Sequence, residues 1–199
     1  MVFGVLIAFL AVCGIFALAV YSGAISSPFN RPFTTVGVTE QETYPVPCVP
    51  PVAGQPDGAL PSAYSDTQVR LLNASGESGL ASAHKTVLED RGFDVVATGN
   101  VDVVLQESEI RFGRNGIVQA YTLAAQFPEI RLVLDDRVER RIDLLIGEDY
   151  EAPLSVDDVE VTADRPLRNV EGCVSAKSID PEKQVMPSAD EGDEVQPAK

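Results

Sequence analysis

Apolar positions along the 199-residue chain follow three regimes. From Val2 to Tyr21 the run VFGVLIAFLAVCGIFALAVY carries no charge. As a helix rising about 1.5 Å per residue it spans roughly 30 Å, the thickness of a bilayer's hydrocarbon core. A single N-terminal transmembrane helix over residues 1–22 is therefore predicted. A cleaved signal peptide is the competing reading, since Ala17-Leu18-Ala19 resembles a small-residue cleavage site. The length of the run and the lack of a basic lead-in favour a retained anchor. Cys13, deep in the run and preceded by Val12, reads as a packing thiol.

Residues 23–66 carry eight prolines with scattered Gly and Ser, which favours extended chain and predicts a Pro-rich stalk. Over 67–150 the apolar period then switches several times. Gln68 to Asn73 reads as a strand, Ala74 to Ser78 as a turn, and Leu80, Ala83, Val87 and Leu88 recur at helical spacing up to Arg91-Gly92. Phe93–Thr98 and Glu109–Phe112 read as strands, Asn115–Phe127 as a helix stopped by Pro128, and Ile130–Leu134 and Ile142–Ile146 as strands. The order βαββαββ predicts an α/β fold, a two-layer sandwich with the helices on one face of a mixed sheet, related to the split βαβ arrangement. Val159-Glu160-Val161 is a candidate edge strand in a C-terminal extension, 151–179. Residues 180–199, with six acids against two Lys, are expected to be a disordered acidic tail.

Charge narrows the partners. The net charge of −15 divides as −3, −5 and −7 over residues 1–66, 67–150 and 151–199. With no segment of net positive charge, no nucleic-acid partner is expected. One His and three Cys exclude a multi-His metal site, and no cofactor is expected. Arg31 is the only basic residue between Tyr21 and Arg70, so little opposes export of the downstream chain, and the C-terminal domain is placed outside the cell membrane. In an oxidising compartment Cys48 and Cys173, one on each side of the domain, are expected to form a disulfide. Two independent thiols are the alternative.

Candidate chemistry is sparse. Asn73, Ser75 and Gly76 lie in a strand-to-helix turn of the kind whose backbone N–H groups hold anions. No Lys follows the glycines, however, and Glu77 repels an anion, so a turn shaped by Gly is the commoner reading. Arg111 and Arg114 flank Phe112-Gly113, where they could meet a carboxylate or phosphate on a wall polymer; a strand-end ion pair competes. His84 reads as a surface or interfacial residue with only Glu89 and Asp90 as acidic sequence neighbours, so it is not assigned to acid–base work. Asp135-Asp136 and Asp157-Asp158 read as solvated acids rather than metal ligands, and Arg137, Arg140 and Arg141 interleave with Asp135, Asp136 and Glu139 as a self-compensated charged turn. No catalytic residue is assigned.

The segment VRLLNASGESGLASAHKTVLEDRGFDVV (Val69 to Val96), the Ala-rich second helix and the ending IDLLIGEDY (Ile142 to Tyr150) together resemble the LytR C-terminal domain family over about 80 residues. That domain commonly follows the phosphotransferase domain of LytR-CpsA-Psr proteins, which attach glycopolymers to peptidoglycan. Here only the stalk separates the apolar run from Val69. The layout of anchor, Cys-bearing stalk, single domain and Cys-bearing extension resembles actinobacterial envelope proteins of the cell-envelope-integrity type. The resemblance implies a non-enzymatic envelope role in which the domain binds an envelope protein or wall glycopolymer. An enzyme, or a lipid- or glycan-binding protein acting on envelope components, is the alternative.

Overall fold

The computed structural model describes Gly4 and residues 44–188. The remainder of the predicted anchor, residues 23–43 and residues 189–199 lie outside the described residues. Among the described residues no helix is long and apolar enough to cross a membrane.

The elements follow the predicted order: β1 (Gln68–Asn73), α1 (Leu80–Asp90), β2 (Asp94–Asn100), β3 (Glu109–Phe112), α2 (Ile117–Ala124), β4 (Arg131–Leu134) and β5 (Ile142–Ile146). Helix α1 stops where Gly92 takes a φ of 92°. There the N–H of Phe93 returns to the Leu88 carbonyl, satisfying an acceptor the helix end leaves open. Helix α2 is shorter than its pattern predicts. Arg114–Gly116 is a 3-10 turn, and beyond Ala124 the amides of Gln126 and Phe127 bond three residues back, tightening the chain ahead of Pro128.

The strands form one mixed sheet in the order β2-β1-β5-β3-β4. Pairs β1/β2, β1/β5 and β3/β4 are parallel and β3/β5 antiparallel. Each helix crosses over between parallel neighbours, and β5, last in sequence, inserts between the two units. Leu88 of α1 and Ala120 and Leu123 of α2 pack with Val69, Leu71, Ile110, Phe112, Ile142 and Leu144 in the main core, so the helices cover one face. Val87, expected on the apolar stripe of α1, is 38% exposed, while His84 is buried. Wherever the strands alternate, the opposite face receives Arg70, Leu72, Arg111, Asp143 and Leu145.

Three expectations change. The stalk does not extend to residue 66: Val46, Val49 and Tyr64 pack against the core, Ala59 is buried, and the Tyr64 ring stacks on Phe93 at 4.4 Å. Pro47 bridges Val174, with Cys48 N–H to Val174 O at 2.8 Å and Val174 N–H to Val46 O at 2.9 Å. Extended, donor-poor chain suits a lining along a domain as well as a free spacer, and the interleaved apolar side chains decide between them. The acidic tail likewise does not begin at 180. Residues 180–188 lie on the second sheet face, with Glu182 N–H to Leu134 O at 2.9 Å and Ser188 N–H to Asn100 O at 2.8 Å. Averaged composition missed Val185, which packs beside Leu72 and Leu145. Finally, Val159-Glu160-Val161 forms no strand. The outward groups at the end of β4, Leu134 O and Asp136 N–H, are taken by Glu182 instead.

Gly113 is required by a close approach. A Cβ there would sit 2.1 Å from the Arg137 carbonyl oxygen. Its φ of −85° and ψ of 174° suit any residue, so the constraint is steric rather than conformational. Gly113→Ala is expected to destabilise the domain by about 3 kcal/mol, the upper part of the range for overpacking, measured as the shift in urea-unfolding free energy.

Candidate functional site

After β5 the extension returns past the end of α2, and together they enclose a groove of about 800 Å³. Its apolar lining includes Phe127, Leu132, Leu154 and Leu167, while Glu129, Asp158, Glu160, Arg165 and Arg168 bring charges of both signs. The near end of the extension wall is held at Leu154, whose N–H bonds Gln126 O at 2.8 Å. Arg91, at the end of α1, donates to Gln126 Oε1 at 2.9 Å and to the Leu154 carbonyl, tying both sides together. The far end is held by residues the sequence assigned to the stalk. Leu167 N–H bonds Ala59 O at 2.8 Å and Val49 N–H bonds Asn169 Oδ1 at 2.7 Å. Cys48 and Cys173, 125 residues apart, form a disulfide with their Cα atoms 5.0 Å apart.

Tyr121 links the two supports. It lines the groove, and its hydroxyl donates to Pro47 O at 2.9 Å. Burial pushes that hydroxyl above its ordinary pKa, with the Val170 backbone opposing, so it stays a neutral donor. Between Ser155 and Pro166 the wall bonds largely to itself, as in Asp158 N–H to Ser155 O and Thr162 Oγ to Asp164 Oδ1. An apolar floor with a mixed-charge rim recognises by shape and buried area, with polar groups fixing orientation.

The second sheet face carries a buried ionic cluster. Arg70 grips Asp143 through Nε at 2.9 Å and Nη2 at 2.6 Å. Arg137 Nη2 reaches Asp143 at 2.7 Å and Asp135 at 2.5 Å, and Arg111 Nε meets Glu109 at 2.5 Å. Burial works against the charge on Arg137, but its hydrogen bonds to Asp135 and Asp143 outweigh it and hold the guanidinium above its ordinary pKa. Sequence reasoning joined Arg137 to Asp135 and Asp136 and missed Arg70, Glu109 and Asp143. The available signal was a charge at alternate positions inside otherwise apolar strands, as in Ile142-Asp143-Leu144.

None of the five residues proposed to bind a ligand lines the groove. Asn73 and Ser75 are buried and close the turn on themselves: Asn73 Oδ1 accepts from Ser75 N–H and Oγ at 3.2 and 2.8 Å, Ser75 Oγ accepts from Glu77 N–H at 3.1 Å, and Asn73 Nδ2 donates to Glu77 O at 2.6 Å. Gly76 supplies a φ of 75° there, so shape rather than anion binding accounts for the Gly. Arg111 is the strand ion pair just described. Arg114 donates to the carbonyls of Ala176 and Ile179 at 3.2 and 3.0 Å. His84, expected at a surface or interface, is buried with Nδ1 3.0 Å from Leu80 O and its ring 5.5 Å from Tyr150. Among the described residues no three His, Cys, Asp or Glu side chains are placed to hold a metal ion.

Residues 66–150 match the family described as LytR cell envelope-related transcriptional attenuator, which bears out the resemblance read from the sequence. Over 105 residues the chain is 32% identical to cell envelope integrity protein Cei of Mycobacterium tuberculosis, covering 50% of this chain and 49% of that protein. The chain thus spans about half the length of the curated relative it matches. It is also similar, at 29% identity and a TM-score of 0.47, to the crystal structure of the soluble domain of a conserved hypothetical secreted protein from Mycobacterium marinum. That match covers 55% of this chain and 82% of the other.

Proposed function

We propose that this chain is a membrane-anchored, non-catalytic protein of the cell envelope, whose LytR C-terminal-type domain lies outside the membrane and binds an envelope protein or wall glycopolymer in the groove between α2 and the extension. The observation that carries the reading is the construction of that groove. One wall is a segment without regular strands, held at both ends, and its far end is secured by a disulfide that suits an oxidising, exported compartment. The envelope-integrity relative and the LytR match supply the setting. Binding rather than catalysis is favoured by the lining, in which apolar side chains alternate with charges of both signs and His84 takes no part.

A photo-crosslinking residue at Glu129, which lines the groove, tests this in intact cells carrying the full chain. Capture of one defined envelope protein or wall polymer is expected, falling at least tenfold when Ala125→Arg narrows the groove. If a crosslinker at the exposed Val138, which is not part of the groove, captures the same species as efficiently, the groove is not the binding site.

A further inference from the structure

The edge of β4 brings main-chain chemistry to the groove as well as apolar side chains. Arg131 N–H bonds Ser108 O at 3.4 Å and Asp135 N–H bonds Phe112 O at 2.8 Å, so alternate residues of β4 turn their main-chain groups inward to β3. Leu132 and Leu134 turn theirs outward, where Leu134 O accepts from Glu182 N–H at 2.9 Å. Glu182 occupies the far end of that edge alone. At Leu132 neither the N–H nor the C=O has a partner among the described residues, although the residue is only 5% exposed. Ile130 and Leu132 both line the groove.

The facing wall has a similar stretch. Val159 is extended, with φ −75° and ψ 110°, and Val159-Glu160-Val161 alternates apolar and acidic residues. Its main chain forms no hydrogen bond among the described residues, and Glu160 and Val161 line the groove. A main-chain group shielded from water and left unpaired costs about as much as a lost hydrogen bond, so Leu132 favours an occupant that returns a donor and an acceptor together. An extended polypeptide supplies both at strand spacing, and its alternate side chains reach the apolar floor at Phe127, Leu154 and Leu167. Charge narrows its composition. The acids Glu129, Asp158 and Glu160 stand against Arg165 and Arg168, and Arg168 already pairs with Glu160 at 3.8 Å. The rim keeps an acidic surplus, and Glu129 has no ion-pair partner among the described residues, which suits a basic side chain on the occupant.

Given that the groove is the binding site, we infer that its occupant is an extended, lysine- or arginine-bearing segment of an envelope protein, added as a strand along the outer edge of β4.

The probe is a seven-residue peptide of alternating lysine and valine, titrated into the full chain in detergent. Two further peptides are N-methylated, one at its valines and the other at its lysines. Only one of those sets of amides can face β4 in a bound strand. One methylated form should therefore bind at least tenfold more weakly than the parent, and the other within about threefold of it. All three carry the same charge, which separates strand addition from general attraction to an acidic chain. Hydrogen exchange at the Leu132 amide should slow at least tenfold on binding. Equal affinities for the two methylated peptides, no binding of the parent, or unchanged exchange at Leu132 would overturn the inference. In that event a soluble wall glycopolymer that shifts the Leu132 and Leu154 amide resonances would leave the groove as the binding site, whereas shifts confined to other residues would remove it as well.

Discussion

Asp143→Ala is expected to destabilise the folded domain by about 3–5 kcal/mol, the range for removing one partner from a buried ionic cluster. Asp143 is fully buried at the centre of the sheet, and in register it lies between Arg70 of β1 and Arg111 of β3. Its carboxylate accepts both donors of the Arg70 fork and one from Arg137. Truncation leaves the Arg70 guanidinium without an acid and Arg137 with Asp135 alone, in surroundings that exclude water. The cost arises mainly from positive charge stranded in the interior, and only secondarily from the few side-chain atoms removed. A double change, Asp143→Leu with Arg70→Met, removes charge and counter-charge together and should therefore be milder than Asp143→Ala, although Arg137 still loses one acceptor. Urea unfolding of the three proteins checks this. A single-variant loss below about 1 kcal/mol, typical of an exposed pair, would show that the cluster is solvated.

Breaking the Cys48–Cys173 bridge has a comparable expected effect and a different signature. The cysteines are 125 residues apart, so Cys48→Ser with Cys173→Ser removes a cross-link that restricts the unfolded chain by roughly 4–5 kcal/mol in the chain-entropy account, and loss of a native bridge typically costs about 2–5 kcal/mol. The loss should fall unevenly. The bridge joins two segments outside the sheet and the helices, and residues 46–49 meet the wall near Asn169 beside it. Limited proteolysis of the variant should cut first between residues 155 and 170, with hydrogen exchange in β1 and β5 changed little at temperatures below unfolding. Uniform acceleration across the domain would instead mean that the bridge supports the core directly.

How much of this is legible in the sequence depends on the range of the interaction. Leu80, Leu88 and Gly92 mark α1 because helix periodicity and a left-handed stop act within a few residues. The same holds for Ile142–Ile146, whose bounds match the prediction. Helix α2 is shorter than its pattern because the apolar stripe continues to Phe127, while from Gln126 onward 3-10 bonding takes over. The disulfide follows from two thiols and a compartment, without any geometry. The candidate ligand turn is closed locally: Asn73, Ser75 and Gly76 have the composition of an anion-binding turn, but the Asn73 and Ser75 side chains accept from the turn's own amides. The groove is invisible in the sequence because its lining comes from three separated stretches, none with a motif of its own.

The sequence by itself determined the order and type of the seven elements, the acidic charge balance of every segment and the resemblance of residues 67–150, since each rests on spacing or composition within a short window. Only the tertiary structure decided that β5 inserts between the two crossover units, that Asp143 meets Arg70 and Arg137, and that residues 44–66 and 180–188 belong to the folded domain. Those outcomes depend on which distant surfaces can bury one another's apolar groups and neutralise one another's charges. Val46, Val49 and Val185 look like isolated residues in polar or Pro-rich chain until the core face and the second sheet face exist to receive them.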